Sequence, residues 1–282
     1  MNIKSYFIRF PNGCKNAVTF SYDDGSVHDI RLARIFKKYN IKATFNLNSG
    51  LMARDETQGN INGRLTLRQA KELFNDPIFE VACHGYNHIR LDSFPPSYAV
   101  NEIVKDKEML EDLFERPIRG LAYPYGSNNT KGLDEALSAA GIAYGRTVNS
   151  TGKFDIPLSD ENWLHLDPTC HHNDKNLLTF ADALIENTDE RYPLLFYVWG
   201  HSNDFELGGN WEIIENLCKK IGNRNNIWYA TNIEIYDYFD AFNNLITSAA
   251  LTRIYNPSAI PVWVQIDGKT IKINPGETVE TI

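Results

Sequence analysis

Residues 17–25 read AVTFSYDDG, a short β-rich apolar run that ends in two aspartates and a glycine. Residues 27–39 follow with apolar side chains close to helical spacing. The alternation recurs along the chain as about seven such units, and strands that alternate with helices are typical of a parallel sheet. The sequence therefore predicts an α/β protein.

The remaining units follow the same pattern. Further strands are predicted over residues 41–47, 79–83, 118–123, 142–148, 194–199 and 227–230. Further helices are predicted over residues 66–74, where Thr66 is a candidate cap, and 98–114, 131–140, 177–187, 211–221 and 233–246. Residues 149–174 are expected to form a long loop. A closed or nearly closed (β/α)7-8 barrel fits this count better than a doubly wound sheet, because no G-x-G-x-x-G follows the first strand.

The C-terminal region has a different pattern. From about Leu251 apolar and polar residues alternate around Asp267 and Gly268, which is typical of a β-hairpin. Two or three strands are not stable alone. We therefore predict a barrel over residues 1–248 and a small β segment over residues 249–282 that packs on it.

Composition narrows the class of protein. The 282 residues include 28 basic and 36 acidic side chains, a net charge of −8, and 43% are hydrophobic. This is globular composition, and its acidity argues against nucleic-acid or anionic-membrane partners. No apolar run has the length of a signal peptide or a membrane span. A cytoplasmic location is expected, with export by a route not visible in the sequence left open, and the oligomeric state is unreadable.

The four cysteines lie far apart in the sequence. No C-x-x-C pair occurs among Cys14, Cys83, Cys170 and Cys218, so neither a zinc ribbon nor a redox pair is predicted. Buried free thiols are expected, consistent with a reducing compartment.

Polar clusters follow several predicted strands. Catalytic groups of a β/α barrel lie at the carboxyl ends of its strands. The clusters at these ends are Asp23 and Asp24, His84 and His88, residues 123–126, Arg146, and His201. We therefore expect one site on this rim.

Two of these clusters suit a metal site. His84 and His88 are four residues apart, so on a helical turn both imidazoles project to one side. Two histidines and one carboxylate make a three-ligand zinc site with a position open to water. Of the adjacent Asp23 and Asp24, one would bind metal and the other act as general base. A solvated turn or surface histidines would explain either motif alone. Together, at the ends of separate strands, they favour a site for zinc, with cobalt or nickel as alternatives.

These motifs resemble those of the polysaccharide deacetylase family, the metal-dependent carbohydrate esterases of family 4 type with a distorted (β/α) barrel. The first family motif, T-F-x-D-D-G, is matched by residues 19–25 (TFSYDDG) with one extra residue, and the second, H-x-x-x-H, by residues 84–88. The last, an apolar strand that ends in histidine, is matched by residues 198–201 (VWGH). The resemblance covers roughly residues 15–245.

The resemblance implies a role for each residue of these motifs. It makes Asp23 the general base and Asp24, with the two histidines of the second motif, a metal ligand. It makes His201 the general acid that protonates the leaving group.

The chain departs from the third family motif, R-x-P-[YF]-G. Residues 122–126 read AYPYG, so the arginine that orients the base is missing. We hypothesise that Arg146, at the end of the next strand, supplies this guanidinium; an ordinary salt bridge on the rim is the alternative. The resemblance makes the backbone N–H of Tyr125 the expected oxyanion donor.

Aromatic residues near the rim are candidates for sugar contacts, namely Tyr123, Trp163 and Trp199. Trp163 belongs to a loose match of the fourth family motif, residues 160–163 (DENW), and would either wall the acyl pocket or cover the core. Three loop histidines, His165, His171 and His172, are expected to be solvated rather than ligands, and His28 to be structural.

The predicted activity is metal-dependent removal of acetyl groups from a carbohydrate, N-acetyl in preference to O-acetyl. The acetylated carbohydrate is the one expected partner. The alternatives are an amidohydrolase of the same fold that acts on a non-sugar amide, and a catalytically impaired carbohydrate-binding relative.

Overall fold

The computed structural model describes residues 5–129, 131–155, 163–189 and 191–281. Its strands are, in chain order, β1 (Tyr6–Arg9), β2 (Asn16–Asp23), β3 (Ala43–Leu47), β4 (Phe79–Cys83), β5 (Gly120–Ala122), β6 (Tyr144–Arg146), β7 (Cys170–His171), β8 (Leu194–Gly200), β9 (Ile227–Tyr229), β10 (Ile246–Thr247), β11 (Arg253–Tyr255), β12 (Val262–Ile266), β13 (Lys269–Ile273) and β14 (Thr278–Glu280). Its α-helices are α1 (Asp29–Lys38), α2 (Leu67–Phe74), α3 (Pro96–Phe114), α4 (Leu133–Ala139), α5 (Leu177–Glu186), α6 (Ser202–Gly208), α7 (Glu212–Ile221) and α8 (Asn232–Asn243).

The main sheet contains eight strands and is parallel throughout. Its order is β6-β5-β4-β3-β2-β8-β7, and β9 pairs with β2 beside this path. Between the edge strands, Leu166 forms a parallel bridge with Arg146, and Thr169 N–H donates to Tyr197 O at 2.9 Å. The curled sheet and its crossover helices confirm the predicted distorted (β/α) barrel.

Strand β2 is the central strand of this barrel. All eight of its residues are buried, as expected for a parallel strand covered on both faces. Its register with β8 runs from Asn16 opposite Leu194 to Tyr22 opposite Gly200. The carboxyl ends of β2 and β8 therefore lie side by side, which brings Asp23 and His201 to the same rim.

Local signals explain several element boundaries. Thr66 caps α2 through a capping box in which its hydroxyl accepts from Gln69 N–H and the Gln69 side chain accepts from Thr66 N–H. The helix predicted to begin at this threonine is therefore confirmed. Among the elements that were not predicted are β1, α6, which begins directly after His201, and β7, inside the predicted loop 149–174. Residues 156–162 of that loop lie outside the described residues.

The amino ends of the strands meet the start of α8. Glu80 accepts from Ile233 N–H at 2.9 Å, from Thr44 at 2.8 Å and from the Tyr144 hydroxyl at 2.8 Å. Burial raises the pKa of Glu80 to about 7 despite these donors. The network joins three strands to α8 and fixes the end of the barrel opposite the rim.

The C-terminal strands form small antiparallel sheets. The predicted hairpin at Asp267 and Gly268 is confirmed, because β12 and β13 pair across it. Strand β1 pairs with β12, with Tyr6 opposite Ile266, and β10, β11 and β14 form a third sheet. A second hydrophobic cluster packs these strands against α8. The division of the chain at residues 248 and 249 stays a prediction.

Two further expectations concern whole classes of residue. All four cysteines are buried and free, as predicted. Among the helices of the described residues, none has both the length and the apolar composition needed to span a bilayer.

Candidate active site

The aspartate pair lies at the carboxyl end of β2. Asp23 is the last residue of the strand and is 2% exposed, and Asp24 follows in a turn with φ = +84°. Positive φ costs a non-glycine residue about 1–2 kcal/mol. Gly25, with φ = +63°, completes the turn. The turn separates the two carboxylates, so that each faces different neighbours.

The histidine pair follows β4. His84 is buried, and its Nδ1 lies 2.8 Å from Ala122 O. A carbonyl oxygen only accepts, so Nδ1 carries the proton and the lone pair of Nε2 stays free for a metal. His88 also has positive φ, +52°. Burial lowers the pKa of His84, and burial together with His84 lowers that of His88 to about 4. Both imidazoles are therefore neutral at pH 7, the form that binds metals.

Asp24, His84 and His88 converge on one point. The Nε2 atoms of His84 and His88 lie 3.8 and 3.5 Å from Asp24 Oδ1. Ligands that are each about 2.1 Å from a tetrahedral ion lie about 3.4 Å apart. Asp24 Oδ1 is buried and has no hydrogen-bond partner among the described residues. The donor set, its spacing and this unsatisfied oxygen fit a divalent cation.

Asp23 lies beside this group in a cage of donors. Arg146 donates to both carboxylate oxygens at 2.5 Å, and Asn46 donates to Oδ1 at 2.8 Å. Burial alone would raise the pKa of Asp23, but Arg146 with His84 and His201 outweighs it and lowers the pKa to about 2. Asp23 is therefore ionised throughout the neutral range.

Arg146 reaches Asp23 from the end of β6. It is fully buried, and its guanidinium carbon lies 4.6 Å from the centre of the Trp199 ring. A guanidinium on an aromatic face is stabilised when desolvated. The contact to Asp23 is the one hypothesised for the gap at Ala122, although its catalytic value remains a proposal.

His201 completes the rim beside Asp23. Its Nε2 lies 3.9 Å from Asp23 Oδ2, and its Nδ1 lies 3.4 Å from Asp204 Oδ2. Burial would lower the pKa of His201, but Asp204, Asp23 and Asp24 raise it. The imidazole is thus biased toward the protonated form that a general acid requires.

The predicted substrate residues lie in different surroundings. Tyr123 is 1% exposed, and Trp199 is partly buried between Arg146 and the edge of His171. Trp163 precedes the bridge of Leu166 with Arg146, and so lies toward the amino end of β6. There it packs on α8, at ring distances of 5.0 Å from Tyr236 and 5.9 Å from Phe239. For Trp163 these contacts favour the alternative of a core cover.

Tyr125 differs from these aromatic residues in its exposure. Its side chain is 58% exposed, its φ is +56°, and its ring centre lies 4.6 Å from that of His88. It is thus an exposed aromatic ring directly beside the group of Asp24, His84 and His88.

The remaining histidines are held by specific partners. His165 bonds to Asp134 at 2.8 Å, and His28 precedes α1 with Nδ1 4.0 Å from Glu206. His172 is fully buried, so the expectation of a solvated loop histidine is wrong for it. The reason is strand β7, whose pairing with β8 carries the following residue into the core.

Three residues of the site were missed from the sequence. Asn46 lies at the end of β3, where the rim argument would have found it. Asp204 is three residues after His201, a spacing that a helical turn brings together. Arg64 places Nη1 3.3 Å from Asp24 Oδ1 and donates to Asp24 O, but it comes from a loop without any pattern.

A cavity of about 880 Å³ lies at the opposite end of β8. It is lined by apolar and aromatic residues that include Tyr6, Leu194 and Phe242. Since it shares no residue with the rim groups, it has no part in the chemistry described here.

The rim of this (β/α) barrel thus carries an Asp-His-His group, whose donor atoms would fit a divalent ion, beside a caged aspartate. The model of the polysaccharide deacetylase family matches residues 11–145. Over these residues, slightly less than half of the chain, the protein is similar to the polysaccharide deacetylase family. The match includes Asp23, Asp24, His84 and His88 but ends before Arg146.

Solved structures that align at TM-scores above 0.5 share this fold. Puue allantoinase aligns at a TM-score of 0.60 and 11% identity, over 80% of this chain and 91% of that one. The chitin deacetylase of the fungus Colletotrichum lindemuthianum aligns at 0.52 and 17%, over 79% and 87%. The Streptococcus pyogenes deacetylase PplD, solved with acetate, is 27% identical at a TM-score of 0.41, over 46% of this chain and 55% of that one. The comparison with curated proteins gives no match.

Proposed function

We propose that the protein is a metal-dependent hydrolase that removes N-acetyl groups from a carbohydrate. The observation that supports this most is the position of Asp23. Its Oδ2 lies 3.9 Å from the free Nε2 of His84 and 3.9 Å from Nε2 of His201. A base between a metal ligand and an acid can serve a water that attacks on one side and a leaving group that departs on the other.

Asp24, His84 and His88 would hold the ion, with Zn²⁺ expected and Co²⁺ or Ni²⁺ as alternatives. When bound, the ion supplies Lewis acidity that activates water and polarises a carbonyl. Asp23 takes the proton of the attacking water. The cage of Arg146 and Asn46 fixes the orientation of this carboxylate and keeps it ionised.

His201 gives a proton to the leaving group. An amine leaves an acyl centre only after protonation, whereas an alcohol depends on it less, so a histidine with a raised pKa suits an amide substrate. This is our reason to favour N-acetyl over O-acetyl groups. The backbone N–H of Tyr125 is proposed as the oxyanion donor.

The exposed ring of Tyr125 is the aromatic face that we propose to contact the sugar. Its position beside His88 would place a sugar ring next to the scissile bond. The ring of Trp199 contacts the Arg146 guanidinium, and Tyr123 is buried. We therefore propose that these two residues affect substrate binding only indirectly.

A second candidate is hydrolysis of a non-sugar cyclic amide. The shared fold of Puue allantoinase is the observation that favours it. The catalytic groups would act in the same roles, because both substrates present an amide carbonyl.

The test compares three substrates with protein dialysed against a chelator and then reloaded with Zn²⁺. Chitotetraose reports N-deacetylation, acetylated xylan reports O-deacetylation and allantoin reports the second candidate. Acetate release from chitotetraose that disappears with the metal and returns with it is expected. The Asp23→Asn protein should keep its metal and lose at least about 100-fold in kcat, the range for a general base.

Each outcome selects one reading. Turnover of allantoin alone would replace the proposal by the second candidate. Bound metal without turnover of any amide or ester would indicate a carbohydrate-binding relative. Wild-type kcat in Asp23→Asn would show that Asp23 is not the base.

A further inference from the structure

A second convergence of side chains lies behind His201. The Nδ1 of His201 and the Nε2 atoms of His171 and His172 lie 3.4, 3.6 and 3.6 Å from the same atom, Asp204 Oδ2. His171 and His172 come from β7 and the residue after it, whereas Asp204 lies in the first turn of α6. Two elements thus meet at one carboxylate.

The protonation of His171 is fixed by its other nitrogen. Asn173 N–H donates to His171 Nδ1 at 3.1 Å. A neutral imidazole has one acceptor nitrogen, so the proton of His171 is on Nε2, directed at Asp204. Burial and His201 lower the pKa of His171, which keeps the ring neutral. Its Nε2 therefore has no lone pair for a metal, and its N–H makes a polar contact with Asp204 Oδ2 at 3.6 Å.

His172 has a different role although it is adjacent. Its ring is fully buried and stacks on Phe205 at 4.1 Å, with Tyr22 at 5.7 Å. Neither ring nitrogen has a hydrogen-bond partner among the described residues. A Cβ at Gly200 would come within 2.0 Å of its Nδ1. His172 thus packs mainly through its ring against the backbone before His201. Its Nε2 also lies 3.6 Å from Asp204 Oδ2 but, unlike that of His171, no backbone donor fixes its tautomer.

We propose that His171 is a positioning residue for His201, which it controls through the contact that both imidazoles make with Asp204 Oδ2. The donors His171 Nε2–H and His201 Nδ1–H then share one carboxylate. This inference rests on the proposed function, in which His201 is the general acid.

This arrangement would fix the orientation of the His201 ring through Asp204. Asp204 is 29% exposed and would otherwise sample other rotamers at the start of its helix. His171 is itself oriented by the edge of Trp199, at a ring distance of 4.7 Å and an interplanar angle of 82°. With Asp204 held, His201 keeps its proton on Nδ1 toward Asp204, and its Nε2 stays directed at Asp23.

The first experiment reads tautomers in the full-length protein. Long-range ¹H–¹⁵N spectra of ¹⁵N-histidine protein, recorded at alkaline pH where the His201 ring is neutral, distinguish the two nitrogens of each ring, and His171→Gln and His201→Gln assign the signals. We expect His171 as the Nε2–H form and His201 protonated on Nδ1. In His171→Phe the His201 signals should change to a mixture of tautomers. In His171→Gln, whose amide N–H replaces the Nε2–H donor, they should stay as in the wild type.

The second experiment follows catalysis on chitotetraose. His171→Phe should lower kcat about 10- to 100-fold with KM within about twofold, the size of effect found for misoriented catalytic groups. His171→Gln should restore most of this loss. His172→Phe keeps ring size and stacking without nitrogens, and should leave both kcat and the His201 tautomer unchanged.

The outcomes separate this inference from the proposed function. Absence of turnover in the wild type overturns the proposed function, while the spectra still decide the role of His171. An unchanged His201 tautomer in His171→Phe overturns the positioning role, as does equal damage by His171→Phe and His171→Gln. If His172→Phe changes the His201 tautomer, then His172 rather than His171 supports Asp204. That result also overturns the positioning role of His171.

Discussion

Two groups of two histidines and one aspartate lie on the same rim of the barrel. In each group, Asp24 with His84 and His88, and Asp204 with His171 and His201, the ligand atoms all lie within 4.8 Å of one another. Composition and spacing alone would therefore assign a metal to both.

The groups differ in what holds the far nitrogen of one histidine. Nδ1 of His84 faces a carbonyl oxygen, whereas Nδ1 of His171 accepts a backbone N–H. The first contact frees Nε2 for a cation, and the second places a proton on Nε2. One backbone contact would thus separate the proposed metal site from the proposed support of the proton donor His201.

The largest expected effect tests this distinction by metal content. His84→Ala and His88→Ala each remove a ligand and should reduce bound Zn²⁺ from one per chain to none after gel filtration. His171→Ala should retain one. The fold should persist in all three, because a barrel of this size does not depend on one ion. Elemental analysis with circular dichroism measures both quantities.

Two results would break the comparison. A second equivalent of Zn²⁺ in the wild type that disappears in His171→Ala would make the Asp204 group a metal site. Full stoichiometry in His84→Ala would remove the ligand assignment at Asp24.

The next effect concerns the charge on Asp23. Arg146 contributes most to holding the pKa of Asp23 near 2. Without it only His84 and His201 oppose the effect of burial, so the pKa rises. The base is active when ionised, so the acid limb of kcat/KM should move to higher pH in Arg146→Met. At pH 7 we expect a loss of roughly 10- to 100-fold. A pH profile from 4 to 9 measures the limb.

Arg146→Lys is the matched control, because it keeps the charge without the planar fork. The acid limb of its kcat/KM profile should lie at a lower pH than that of Arg146→Met. If Arg146→Met has the same pH profile as the wild type, Arg146 only forms an ordinary salt bridge on the rim. The ionisation of Asp23 also affects stability. Because its pKa is lower in the folded than in the unfolded chain, ionised Asp23 stabilises the fold above its unfolded pKa, and this stabilisation is lost as the pH falls toward 2.

The smallest expected effect comes from the difference in backbone φ between His88 and His171. His88 has φ = +52°, whereas His171 is not among the residues with positive φ. His88→Gly should be more stable than His88→Ala by about 1 kcal/mol, because only the alanine keeps a strained Cβ. At position 171 the order should reverse, with glycine less stable by about 0.5–1 kcal/mol. Urea unfolding of metal-free protein measures the differences, and equal order at both positions would contradict the strain at His88.

The sequence predicted the parts of this site that lie where long strands end. Asp23, His84 and His201 each follow a strand with a continuous buried pattern, so period and turn residues sufficed to place them. Arg146 was inferred from the gap at Ala122, because adjacent parallel strands present their ends side by side. That inference needed topology but no side-chain geometry.

The second group was not predictable in the same way. Strand β7 has two residues, too few for a period, and its place beside β8 depends on contacts distant in sequence. The tautomer of His171 depends on a single backbone N–H at Asn173. Asp204 became visible only with α6, a helix of seven residues whose hydrophobic pattern is too short to recognise.

The pairing of β1 with β12 has a consequence for biosynthesis. Ser5 N–H donates to Asp267 at 2.9 Å, across a sequence separation of 262 residues. At ribosomal rates of about 5–20 residues per second, β1 waits tens of seconds for its partner strand. During that interval β1 is a strand without its partner, so its backbone N–H and C=O groups stay unpaired with β12 until residues 262–266 have been synthesised.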